Sequence, residues 1–200
     1  MNSRALATKI LHGVLYQSIS LSTALPHQLA TQPKLRDPQL VQAICYGVLR
    51  HCFYLEAILK QLMSKPLKAK DIDLEILLIV GLYQLVFLSV PQHIVLNETV
   101  NAAKELGKSW ATGLVNGVLR QFLREKEKLI ALKSASLEEE YNHPLWLINA
   151  IQTAWPAQWQ AILAANQTHP PMTLRINSQC ISVADYQQLL QEKNISAFNS

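Results

Sequence analysis

Two hundred residues, half of them hydrophobic and only 16% charged, suffice for one buried core plus part of another domain and exclude a disordered chain. The net charge of +4 is uneven: residues 1–130 hold fifteen Lys and Arg against nine Asp and Glu, and residues 131–200 three against five. A moderate basic excess confined to the first part fits a phosphate-contacting surface, although many inert domains carry as much.

In chain order the sequence predicts helix after helix to about residue 166. Ser3 caps a first helix reaching Ser18, with Leu6, Ile10 and Val14 on one face. There is no signal-peptide core at this end. A short helix over 23–31 follows. Asp37-Pro38 then reads as an N-cap with proline at the first helical position. From there one long helix extends to about Met63. Its main stripe is Val41, Ile44, Cys45, Val48, Cys52, Leu55, Leu59 and Leu62. Tyr46, Leu49 and Phe53 form a second apolar strip, which predicts a helix at the centre of a bundle.

Asp71 caps a helix over 72–88 that Pro91 closes. Its run Ile76–Leu88 is thirteen residues long, too short to span a bilayer and suited to a buried core. Helices over 93–106 and 110–132 come next. The polar stretch from Ser134 to Glu140 reads as a linker or a short exposed helix. His143-Pro144 and Trp155-Pro156 each start a further helix. After the break at His169-Pro170-Pro171, Met172–Asn177 alternates as a strand does. Ser182 caps a helix to about Lys193, and Ile195–Phe198 begins a second strand. A β-α-β unit whose strands lack partners predicts that the chain is truncated within a domain.

Most chemical constellations are missing. No Gly-x-Gly-x-x-Gly or Walker loop offers a phosphate cradle, and no Cys/His spacing suggests zinc. In one helix Cys45 and Cys52 would lie about 10 Å apart, too far for a disulfide. Free thiols of this kind fit a reducing cytoplasm. On the inward stripe they read as buried structural thiols rather than nucleophiles. His143 and His169 precede prolines and shape turns. Glu138, Glu139 and Glu140 read as a solvated run. No catalytic, cofactor or metal residue emerges.

Surface features say more. On the helix from Trp110, Val115, Val118, Leu119 and Phe122 form the buried stripe. Gly113, Asn116, Gly117, Arg120 and Arg124 share a different side. Small residues followed by two arginines leave room for a phosphate backbone to approach fork-like donors. The alternative is a close helix contact with Arg120 paired to an acid. Lys60, Lys65, Lys68 and Lys70 surround one interhelical loop, either merely solvated or a phosphate contact. Trp110 and Tyr83 have rings suited to base stacking, though core packing is commoner. Gly-Val-Leu recurs at 13–15, 47–49 and 117–119, where glycine inside a helix suggests close helix crossings.

Cys45-Tyr-Gly-Val-Leu-Arg50, Gly81-Leu-Tyr-Gln-Leu85, Pro91-Gln-His, Asn97-Glu-Thr-Val100 and Gly113-Leu-Val-Asn-Gly-Val-Leu-Arg120 resemble the successive signatures of a NusB-like domain. His143-Pro-Leu-Trp-Leu147 and Pro170-Pro-Met-Thr-Leu-Arg-Ile-Asn177 resemble the segment joining that domain to the catalytic region in RsmB-type rRNA cytosine-C5 methyltransferases. The resemblance implies a mainly all-α protein: a NusB-like helical RNA-binding domain over 1–132 and a helical linker over 133–168. The start of an RRM-like (ferredoxin-like) α+β subdomain would occupy 169–200. It implies 16S rRNA as partner, together with a catalytic domain of the same protein, and neither membrane nor metal. It also implies S-adenosylmethionine as methyl donor to the full-length enzyme, none of it bound by this segment.

In that family a cysteine thiolate attacks C6 of cytosine, from Pro-Cys and Thr-Cys motifs that this sequence lacks, so the segment is expected to be inactive alone. The RNA-binding candidates are Arg50, Lys65, Lys68, Lys70, Asn116, Arg120, Arg124 and Arg175. A free-standing NusB-type transcription antitermination factor is the competing reading. Such a factor is expected to end near residue 140.

Overall fold

A computed structural model describes residues 1–131, 134–168 and 173–197. Its elements are all helical: α1 Ser3–Tyr16, α2 Leu21–Ala30, α3 Pro38–Arg50, α4 Cys52–Leu62, α5 Ile72–Phe87, α6 Gln92–Glu105, α7 Thr112–Ile130, α8 Leu137–Tyr141, α9 Leu145–Ala154, α10 Trp159–Gln167 and α11 Val183–Glu192. The chain forms two units, Met1–Gln167 and Thr168–Ser200.

In the first unit α5 is the central helix. It buries eleven residues, from Leu74 through Leu85, on all sides. The continuous apolar run explains this, because a helix without a polar face must be surrounded. Helices α1, α3, α4, α6 and α7 all pack on α5. A second, small core of Ile148, Ile151 and Leu163 holds α9 and α10 together, with Tyr141 and Trp159 against it.

Polar stitches fix the bundle. Asn2, rather than Ser3, caps α1 by accepting from the Arg4 amide; its Nδ2 reaches Glu98 Oε2 at 2.7 Å on α6. The Arg4 side chain is buried and donates from Nε to Gln84 Oε1 at 3.0 Å. Burial lowers the Arg4 pKa from its ordinary value, against the opposing field of Glu98 and Asp37. Asp37 caps α3 through the Leu40 amide, with Pro38 next, as its sequence requires.

Several expectations need correcting. The single helix over 37–63 is two helices, broken at His51, whose φ of −113° and ψ of 23° lie outside the helical region. The break lets α3 pack on α1 while α4 turns to α7 and α8, a division that one straight rod could not make. Tyr46 is consequently exposed rather than central. Asp71 makes no cap; its carboxylate takes Lys108 instead. The helix expected from Trp155-Pro156 starts at Trp159, because the Trp155 amide still closes α9 on the Ile151 carbonyl.

The expected strand Met172–Asn177 begins outside the described residues, and residues 173–177 form no strand. Nor do residues 195–197; Phe198 is not among the described residues. Among the described residues no strand pairs with either run, and the Ile195 amide donates instead to the Leu190 carbonyl at 2.9 Å. The helix between them forms as expected, with Ser182 capping α11 through the Asp185 amide. None of the α11 side chains is buried.

Candidate nucleic-acid interface

A concave surface lies between α6 and α7. It is a groove of about 580 Å³ lined by Gln92, His93, Leu96, Asn97 and Val100 of α6 and by Thr112, Gly113, Asn116, Arg120 and Leu123 of α7. Leu96, Val100 and Leu123 form an apolar floor between polar walls. No carboxylate lines it. The geometry follows from two helical periods: Val115, Val118, Leu119 and Phe122 are buried on one side of α7, which turns Gly113, Asn116, Gly117 and Arg120 outward.

The open face is wide because of its glycines. A Cβ on Gly113 or Gly117 would meet nothing within 4 Å. This corrects the expectation that Gly117 marks a helix crossing. Only Gly47, among the three repeat glycines, stands under a close neighbour: a Cβ there would fall 2.0 Å from the Tyr83 ring.

Arg120 is exposed and held by its own helix, with Nε donating to Asn116 Oδ1 at 3.1 Å. No carboxylate of the described residues lies within 4 Å of it, so the ion-paired alternative is not what the structure contains. Its remaining N–H groups point to no protein acceptor among the described residues. Arg124 is exposed one turn further on. From Gly113 to Arg124 this face runs about 16 Å along the axis, room for two or three phosphates.

The other candidates lie elsewhere. Lys65, Lys68 and Lys70 are exposed in the α4–α5 connection, outside the groove. Beside them Lys108 Nζ bonds Asp71 Oδ1 at 2.6 Å, Asp73 Oδ1 at 3.3 Å and the Lys70 carbonyl at 3.0 Å. The Asp71 hydrogen bond raises the Lys108 pKa, with Asp73 assisting against desolvation. Arg50 is half-buried at the end of α3. Its charge lowers the His51 pKa, secondary to burial. Tyr83 is buried and cannot stack a base, whereas Trp110 is 63% exposed. Arg175 is exposed in the second unit.

Residues 1–124 match the NusB family. The chain belongs to the NusB family. Residues 143–200 match the ferredoxin-like domain of RsmF/B-like methyltransferases. The NusB-family chain is 42% identical over 197 residues to the probable ribosomal RNA small subunit methyltransferase B of Coxiella burnetii, covering 98% of this chain and 44% of that protein. It is 44% identical over 196 residues to the ribosomal RNA small subunit methyltransferase B of Serratia proteamaculans, covering 98% and 45%. The protein of the same name in Pseudomonas putida is 43% identical over 197 residues, with 98% and 45% covered. The chain therefore spans less than half the length of the curated relatives it matches, in their N-terminal part.

Within this NusB-family bundle the α6 wall of the groove escaped the sequence reading. Gln92, His93 and Asn97 are exposed. The signal was present: His93 and Asn97 are four residues apart, hence on one helical face. No helix of the described residues is long and apolar enough to cross a membrane. The described residues hold no group of three or more potential metal ligands.

Proposed function

We propose that this chain is the RNA-binding N-terminal part of a methyltransferase that makes 5-methylcytosine in 16S rRNA. The observation that carries the reading is the acid-free groove between α6 and α7, with Arg120 positioned by Asn116 and free of any carboxylate. A wall of amides, an imidazole and a guanidinium over an apolar floor suits a phosphodiester strand with an unstacked base, and glycines let its backbone come close. Residues 1–132 act as the RNA-binding domain, 133–168 as a helical linker and 169–200 as the start of an RRM-like subdomain. Lys65, Lys68, Lys70 and Arg175 lie on further exposed surface that a long rRNA would cross.

The relatives' names support methyl transfer by the whole protein; on this reading S-adenosylmethionine is its methyl donor and the cytoplasm its location. The described residues of this chain offer that cofactor no fitting site on this reading. The groove holds no carboxylate for ribose hydroxyls, and no glycine-rich turn leads from a strand into a helix among the described residues. The segment is inactive alone on this reading, because burial pushes the Cys45 and Cys52 thiols up to about 12, and neither furnishes a thiolate nucleophile. The relatives' length and names favour this over a free-standing antitermination factor.

The test is salt-dependent binding to a 16S rRNA fragment. Wild-type affinity should fall steeply with salt. Arg120→Ala with Arg124→Ala should reduce the slope by about 0.7–0.9 for each phosphate that is no longer neutralised. An unchanged slope would remove the groove from the footprint.

A further inference from the structure

On a different part of the first unit, four rings meet around the end of α5. Phe87 stacks on His51 with centroids 4.1 Å apart and planes 12° from parallel. Tyr83 lies 5.5 Å from Phe87 at 30°, and Tyr54 meets it edge-on at 6.2 Å. The stack is not sealed: Phe87 is 41% exposed. The Tyr83 ring end lies against α3 at Gly47, where a Cβ would strike it. Tyr46, which precedes Gly47 on α3, is 51% exposed. Arg50 follows Tyr46 by one helical turn.

We propose that Tyr46, Phe87 and Arg50 form a second contact surface, for unpaired RNA, in which bases stack on the two exposed rings and a phosphate meets the arginine. An exposed ring pair alone would suit an apolar protein partner equally well. Charge decides between them. Arg50 has no carboxylate within 4 Å among the described residues. The charge acting on both His51 and Tyr83 is that of Arg50, and no carboxylate contributes at His51, Tyr54 or Tyr83. Lys126 adds a second cation close by, its Nζ bonded to the Leu85 carbonyl at 2.9 Å, two residues before Phe87. Exposed rings bordered by cations are the composition that binds single strands with little sequence preference.

The inference rests on the RNA-binding reading but not on the groove. Its test uses the 200-residue chain, a short single-stranded RNA carrying 2-aminopurine, and a duplex of the same sequence. Tyr46→Ala and Phe87→Leu should each weaken single-strand binding about tenfold, equivalent to about 1.4 kcal/mol and within the range of one base–aromatic stack. They should leave duplex binding unchanged and reduce the change in 2-aminopurine fluorescence on binding. Tyr46→Phe, which keeps the ring, should bind as wild type. Leucine at 87 retains apolar bulk, and helical content by circular dichroism checks the fold. If that variant does not fold, the exposed Tyr46 carries the test alone. Wild-type single-strand affinity in Tyr46→Ala overturns the inference; loss of binding in Arg120→Ala within the same series shows that the groove reading survives it. A wild-type chain that binds neither RNA at low salt overturns both.

Discussion

The Cys45 thiol is fully enclosed between helices, and desolvation alone pushes its pKa up to about 12. Cys52 reaches about 12 chiefly by burial, with the carboxylate of Glu56 adding a repulsive field and a 3.3 Å hydrogen bond from Sγ. At pH 8 their thiolate fraction is roughly a thousandfold below that of an ordinary thiol. Cys180 is exposed. Cys52 is only half-buried, against the expectation of two buried thiols, so a maleimide should label Cys180 quickly, Cys52 slowly and Cys45 only after unfolding, and Cys180→Ser should remove the fast phase. Rapid labelling of Cys45 in the folded protein would contradict its enclosure. The same shifts set an alkaline limit. Thiols and the Tyr54 and Tyr83 phenols have folded-state pKa values above their ordinary ones. The folded state then binds more protons than the unfolded state at high pH. This stabilisation is complete below about pH 9 and is lost as pH rises toward 12. Urea midpoints should fall across that window, and less steeply in Cys45→Ala.

Three Gly-Val-Leu runs look alike in sequence and behave differently as helix elements. Gly47→Ala should destabilise by about 1–3 kcal/mol, because the new methyl meets a Tyr83 ring already held by Phe87. Gly117→Ala enters open space and should stabilise α7 by about 0.5–1 kcal/mol. Equal effects in a denaturant titration would show that the two glycines share one role. Periodicity located both helices but not their partners, since a helix's own spacing says which residues share a face and not what lies opposite. The break at His51 was illegible for a related reason: no glycine or proline marks it, and the competing pulls of α1 on α3 and of α7 and α8 on α4 decide it. On α7 the two faces were legible because the buried stripe and the polar stripe differ in composition. On α6 the sequence located a helix over 93–106 without distinguishing its faces, so Gln92, His93 and Asn97 emerged only when α7 lay beside them.

At the scale of the molecule, long apolar periodicity made the helical bundle legible, and the run in α5 identified a buried helix. Residues 173–177 and 195–197, the described parts of the two expected strands, form none, because a strand is defined by its neighbour and the described residues supply none there. Burial follows the same division. The first unit contains both apolar cores, whereas α11 buries none of its side chains and Leu174, Val183, Leu189 and Ile195 are each at least 40% exposed. Stability should reside almost wholly in residues 1–167, since exposed apolar side chains contribute little to folding. A chain ending at Gln167 should thus keep the thermal midpoint of the 200-residue chain within about 2 °C, a shift corresponding to about 0.5–1 kcal/mol for a domain of this size. It should also keep the unfolding cooperativity. The same truncation removes Arg175 and leaves Arg120, Arg124, Tyr46 and Phe87 in place. If the first unit carries RNA binding, affinity for the 16S fragment should change less than threefold, and the salt slope by no more than the effect of about one neutralised phosphate. A collapse of the midpoint would place part of the stability in the second unit. A large fall in affinity with an intact fold would move the RNA footprint to Arg175 and its surroundings.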